Sequence, residues 1–241
     1  MTYPEEPRFV DVFSYSIFRL LVWFRRFGVV VAAISFMAIS LVIVLTVIAG
    51  PREKPVELPP MYNSMGLQVS NSPFDAKFHR AAVTGGGAQW ASIVGQARQI
   101  GDPVQRMGFI HRFVTTYVTY TDDIVLYRTN DYWATPSETL ARRRGDCEDY
   151  AILEMMLLQA SGFRGSDIYL TIGYDQIARR DHAVLSLKID NMLWTLDQRA
   201  STPFPTTSVI DFRPILTLSQ DNVWLHGFRK KISNQIAAIG R

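Results

Sequence analysis

The longest unbroken apolar stretch in the chain runs from Phe27 to Ala49. It reads FGVVVAAISFMAISLVIVLTVIA, 23 residues without a charge or a proline. At about 1.5 Å of helical rise per residue it reaches ~34 Å, enough to cross a ~30 Å hydrocarbon core. Arg19, Arg25 and Arg26 precede it and Gly50-Pro51 stop it. The positive-inside rule then leaves the N-terminus in the cytoplasm and carries the rest of the chain across the membrane. A cleaved signal peptide ending near Val47-Ile48-Ala49 is the alternative, and the length of the run weighs against it. Residues 9–24 mix aromatic and apolar positions with few charges and suit an interfacial helix before the span. From Pro51 to Asn71 the pattern has no period while Pro and Ser recur, which reads as a linker. The expected organisation is therefore an N-terminal segment 1–26, a transmembrane anchor 27–49, a linker 50–72, a domain 73–228 and a basic tail 229–241.

Inside the domain the period changes along the chain. Trp90, Ile93, Val94 and Ala97 fall on one face of a helix over Ala88–Ile100. Asp102-Pro103 has the form of an N-cap and a first-turn proline, so a second helix follows over Val104–Tyr117. Thr119–Arg128 reads as a short extended stretch or loop, and Pro136 and Glu138 suit the start of a short helix after it. Gly145 breaks that helix. Asp146 then caps another, through Tyr150, Ile152, Leu153, Met156 and Leu157 to Ser161, with Gly162 past its end. Strands are predicted at Ile168–Tyr174, at the alternating Ala183–Ile189, and at Met192–Gln198 after the turn residues Asp190-Asn191. Thr217–Trp224 closes the domain. Helices first and an antiparallel sheet after them is an α+β plan.

Composition narrows the function classes. A net charge of +3 gives no strong polyanion-binding field, so no nucleic-acid partner is expected. A single cysteine excludes an intramolecular disulfide, although the topology puts the domain in an oxidising, periplasm-like space. That cysteine is either an inert buried residue or a reactive thiol.

Cys147 stands at the start of a predicted helix, where unpaired backbone N–H groups and the helix dipole favour a thiolate and can hold an oxyanion. A nucleophile also needs a base and a group that orients the base. Among the four histidines, His182 opens the second predicted strand, and Asp197 lies on the next. If Asp190-Asn191 is the hairpin loop, His182 faces residue 199, two places from Asp197 on the same sheet face. If the loop is 189–190, the two residues face each other directly. Either register joins them.

At these residues the sequence becomes recognisable. Asp131-Tyr132-Trp133-Ala134-Thr135-Pro136, followed by Gly145-Asp146-Cys147-Glu148-Asp149-Tyr150-Ala151, resembles the bacterial transglutaminase-like cysteine proteinases, the LapG family. The His182 strand and Leu196-Asp197 follow in matching order, and the likeness spans roughly residues 75–226. It implies a papain/transglutaminase-like core with a Cys-His-Asp triad: Cys147 as nucleophile, His182 as general base and then acid, Asp197 as orienting group. Trp133 is a candidate for a cleft wall or an oxyanion donor. Members are periplasmic proteases that clip the N-terminal region of a large outer-membrane adhesin next to paired small residues such as Ala-Ala. That cut releases the adhesin and disperses biofilm. An inner-membrane cyclic-di-GMP receptor sequesters the protease. The anchor-like segment departs from members that look freely soluble. A cross-linking transglutaminase with the same triad, or an inactive anchored binding module, are the other readings.

Asp146, Glu148 and Asp149 crowd negative charge around the thiol, and like charge disfavours a thiolate. A bound hard cation resolves that conflict. By resemblance the cation is Ca²⁺ held by Asp146 and Glu148, with Asp131 a further candidate, although the chain has no EF-hand loop.

Overall fold

The computed structural model describes residues 37, 39, 40, 55–85 and 87–228. The chain divides into two units, Met1–Lys54 and Pro55–Arg241. Of the first, only Met37, Ile39 and Ser40 are described, and all three are helical. Among the described residues no helix is long and apolar enough to cross a membrane. The expected span over Phe27–Ala49 lies outside them apart from those three residues, as does the basic tail.

The second unit is built on a seven-stranded antiparallel sheet. Its strands are β1 (Met65–Val69), β4 (Ile168–Asp175), β5 (Arg180–Ile189), β6 (Met192–Leu196), β7 (Phe204–Pro205), β8 (Phe212–Ser219) and β9 (Asn222–Gly227), in the order β1-β9-β8-β4-β5-β6-β7. A two-residue parallel pair joins β2 (Thr119–Tyr120) to β3 (Arg144–Gly145). Helices α1 (Asp75–Ala81), α2 (Gly87–Gln99), α3 (Pro103–Tyr117), α4 (Asp123–Leu126), α5 (Pro136–Arg142) and α6 (Cys147–Ala160) come before the main run of strands. This is the expected α+β plan.

Local chemistry places the helix starts. Asp102 accepts from Gln105 N–H at 2.7 Å, with Pro103 in the first turn of α3. Thr135 and Glu138 form a full capping box on α5, worth about 1 kcal/mol. Buried helix residues and the inward side chains of β4, β5, β6 and β8 make the main core, including Ile110, Ile152, Leu153, Leu170, Leu185 and Leu218. Every residue of α6 from Glu148 to Leu158 is buried. A helix apolar nearly all round is one that sits inside, packed on every side.

Three features differ from the sequence expectation. The stretch read as a linker is structured from residue 55: β1 pairs with β9, and Leu58, Met61 and Tyr62 join Tyr169, Val184, Phe212 and Trp224 in a second apolar cluster. Its strand is too short to show a period, and its partner lies more than 150 residues on, at Val223–Gly227. The helix α1 has the same cause, with Phe78 and Ala81 its buried residues. Thr119–Arg128, read as an extended stretch or loop, contains the short helix α4 at Asp123–Leu126, while the closing stretch Thr217–Trp224 falls in the hairpin β8–β9, turning at Gln220-Asp221.

Candidate active site

Cys147 is the first residue of α6. Asp146, expected to cap that helix, occupies the N-cap position without a side-chain cap bond, because its carboxyl turns toward Glu148 and Asp123 instead. The turn before it is fixed by Gly145. A Cβ there would lie 2.6 Å from Asp149 Cβ and 2.7 Å from its Oδ2. Asp149 uses that space to reach back and accept from Ala134 N–H at 2.7 Å, tying α6 to the Trp133 loop. Trp133 is buried, stacked on Phe74 at 5.5 Å between centroids, and its carbonyl accepts from Arg80.

Ile189 faces Met192 across the Asp190-Asn191 turn, the first of the two registers considered. Asp190 takes a left-handed φ of 54° there. β6 ends at Leu196, opposite Leu185, so β5 runs on past it toward Arg180. In that overhang the backbone N–H of Ala183 is directed at the sulfur of Cys147. Asp197 comes just after β6, where the chain turns and Ala200 N–H donates to the Asp197 carbonyl. The turn brings the Asp197 carboxylate to His182: Nε2 and Oδ2 are 3.1 Å apart, both side chains buried. With Nε2 engaged, Nδ1 is the ring nitrogen left for the thiol.

Cys147 and His182 line one cleft of about 370 Å³ with Trp133, Phe74, Tyr120 and Ile172. The three residues expected from the sequence are thus brought to one place, two in the cleft and Asp197 behind His182. Trp133 forms part of its wall.

The acidic residues divide. Asp123, Asp146 and Glu148 each offer an oxygen within 4.8 Å of the others. Asp131 lies on the cleft rim, but its carboxylate pairs with Lys77, and it is not one of the three. The sequence reading missed Asp123, whose Oδ2 accepts from Tyr132 N–H. Burial raises the carboxyls of Asp123, Asp146 and Glu148 above their ordinary range, and neighbouring carboxylates reinforce it: Asp131 and Asp122 at Asp123, Glu148 and Asp123 at Asp146, Asp149 and Asp123 at Glu148. Burial also pushes Asp149 up to about 8, against the pull of Ala134 N–H. Desolvation and then the charges of Glu148 and Asp146 hold the thiol well above its usual value. The thiol donates to Glu148 Oε2 at 3.3 Å. Oδ1 of Asp123 and Oδ1 of Asp146 are buried without a hydrogen-bond partner. Three crowded carboxylates with orphaned oxygens suit a hard cation that prefers oxygen ligands, and Ca²⁺ is such an ion. Asp123, Asp146 and Glu148 are the residues that would hold it.

Asp197 has a second partner, the guanidinium of Arg199. Arg199 reaches both of its oxygens, and the Asp197 carboxyl lies far below the usual range: burial opposes the shift, and the bonds to His182 and Arg199 outweigh it.

A thiol at a helix start, a hydrogen-bonded pair of His182 on β5 and Asp197 just after β6, and a shared cleft make the arrangement of a transglutaminase-like cysteine peptidase. Residues 91–209 match the family described as bacterial transglutaminase-like cysteine proteinase BTLCP. LapG of Legionella pneumophila has a similar fold, with 24% identity and a TM-score of 0.50 over 57% of this chain and 76% of that one. Its calcium-bound structure aligns with a TM-score of 0.51 and 23% identity over 61% of this chain and 81% of that one. A UPF0252 protein of Archaeoglobus fulgidus is 33% identical over 76 residues, 32% of this chain. The chain spans 23% of that relative's length.

Proposed function

We propose that the chain is a calcium-dependent cysteine endopeptidase, anchored in a bacterial inner membrane with its domain in the periplasm. The observation that carries the peptidase reading is the convergence of Cys147, at the first turn of α6, with the His182–Asp197 pair at one cleft. The sulfur attacks the carbonyl carbon of a peptide bond, and the thiol proton goes to His182 Nδ1. Backbone N–H groups at the start of α6 face the developing oxyanion. The C–N bond breaks as His182 returns its proton to the departing amine, leaving a thioester on Cys147. Water then attacks the thioester, His182 takes its proton, and the acid product leaves with the thiol restored. Asp197 keeps the imidazole oriented throughout and stabilises its charged form.

Calcium at Asp123, Asp146 and Glu148 would supply positive charge beside a thiol that burial and carboxylates otherwise hold protonated. The calcium-bound state of Legionella pneumophila LapG supports that choice of ion. The family resemblance supports a large surface adhesin as substrate, cut in its N-terminal region next to paired small residues to disperse biofilm. It also supports a cyclic-di-GMP receptor as the sequestering partner. The apolar run Phe27–Ala49 supports the anchor.

The experiment is to incubate the chain with an adhesin fragment containing Ala-Ala and a labelled amine, with calcium or EGTA, beside Cys147→Ala. Calcium-dependent fragments, absent in the variant, are expected. Amine incorporation without cleavage would make the protein a transglutaminase. A reporter fused after residue 60 that reads as cytoplasmic would overturn the topology.

A further inference from the structure

The carboxylate that orients His182 is itself held by a group the triad does not include. Arg199 Nη2 donates to Asp197 Oδ2 at 2.7 Å, and Nε lies 3.1 Å from Oδ1 and 3.2 Å from Oδ2. The Arg199 backbone N–H adds a bond to Oδ1 at 3.0 Å. With His182 on Oδ2, both oxygens are filled and the carboxylate cannot rotate without breaking bonds. Arg199 is in turn fixed at its other end, where Nη1 pairs with the buried carboxylate of Asp175, the last residue of β4. The second oxygen of Asp175 accepts from Ile177 and Ala178 N–H at 2.8 and 2.6 Å, in the turn that leads into the His182 strand. The guanidinium therefore bridges the two segments that deliver the histidine and the aspartate. A third tie comes from the core: His111 Nε2 bonds the Ala200 carbonyl at 2.9 Å, and its Nδ1 is 2.7 Å from the buried Glu154.

We propose that Arg199, keyed by Asp175, is a positioning residue: it locks the rotation of the Asp197 carboxylate and so the direction in which His182 presents Nδ1 to Cys147. The inference rests on the peptidase reading and goes beyond it. Two nearly buried carboxylates bracket one planar fork, which a lysine ammonium cannot reproduce because it carries its charge at a single point. Without the fork, Asp197 Oδ1 keeps only a bond from its own loop. Either oxygen can then turn to the imidazole, and the ring loses a single orientation. Misplacement of a reacting group by about 1 Å costs on the order of a hundredfold in rate.

The chain's one cysteine makes the test direct. Iodoacetamide alkylation of Cys147 is followed by mass spectrometry in the full chain with calcium chloride, at one fixed pH, with the melting temperature recorded for each variant. His182→Ala should slow the wild-type reaction. Arg199→Gln should slow it about tenfold or more, and Arg199→Lys should recover part of that loss. Asp175→Asn should act in the same direction as Arg199→Gln. A wild-type rate in Arg199→Gln overturns the proposal and leaves the peptidase reading standing, whereas a wild-type rate in His182→Ala overturns both. If Arg199→Gln does not fold, Arg199→Lys and Asp175→Asn decide: slowed alkylation in both supports the proposal, and wild-type rates in both overturn it.

Discussion

Removing the charge of Glu148 should free the thiol of Cys147 when no calcium is present. The two groups are 3.3 Å apart, with the thiol donating to the carboxylate. At that separation and an effective dielectric of about 20, two like unit charges repel by about 5 kcal/mol. Half of that, lost to relaxation and to partial protonation of a carboxyl that burial has raised, still leaves about a hundredfold less thiolate near neutral pH. Thiolate reactivity with an aryl disulfide, read by absorbance, measures this directly. In EGTA the wild-type chain should react slowly, and Glu148→Gln should react faster, about tenfold or more since Asp146 remains beside the sulfur. Calcium should accelerate the wild type strongly and the variant little, because the variant has lost both the inhibiting charge and one of the three carboxylates proposed to hold the ion. If Glu148→Gln in EGTA is as slow as the wild type in EGTA, the electrostatic reasoning is wrong.

The turn before the nucleophile gives a second test. Gly145→Ala forces a Cβ to 2.6 Å from Asp149, so urea unfolding should show a loss of about 1–3 kcal/mol. Asp197→Asn should lower turnover by about 10³-fold or more while circular dichroism stays native, since the amide cannot stabilise the imidazolium. Without calcium, stability should also depend on pH in a set direction. Asp149 is pushed up to about 8 from an ordinary 3.8, so around neutral pH the folded chain binds the extra proton. By linkage, stability then rises as pH falls from about 8 toward about 4, and calcium, by countering the repulsion from Asp146 and Asp123, should flatten that slope in melting curves. Asp175 works the other way. Arg199 holds it below 3.8, so its contribution is present above that value and is lost only as the pH falls further.

What the sequence made legible was local. The Asp102-Pro103 and Thr135–Glu138 signals mark helix starts because capping is decided within four residues. The turn near Asp190-Asn191 was legible for the same reason, while its exact register, left open between two loops, came only with the structure. Cys147, His182 and Asp197 could be named because a helix start and strand parity place side chains by short-range geometry. The parts that were missed are held by distant partners. β1 needs β9 at the other end of the domain, and the Tyr62 hydroxyl finds Ser186 at 2.7 Å. Asp123 joins Asp146 and Glu148 only when α4 packs beside the start of α6, while Asp131, nearer in sequence, is drawn off by Lys77. Arg199 lies two residues from Asp197, yet its role depends on Asp175 at the end of another strand. No periodicity carries that information.

The most direct test of the account is to catch the covalent intermediate. The calcium-loaded chain is mixed with an adhesin fragment, quenched in acid within the first turnover, and digested for mass spectrometry. The account predicts that the peptide carrying Cys147 gains the mass of the substrate's N-terminal fragment through a thioester, and that the adduct vanishes on treatment with hydroxylamine and never forms in Cys147→Ala. Cleavage that proceeds in Cys147→Ala, or an adduct on any other residue, would contradict it.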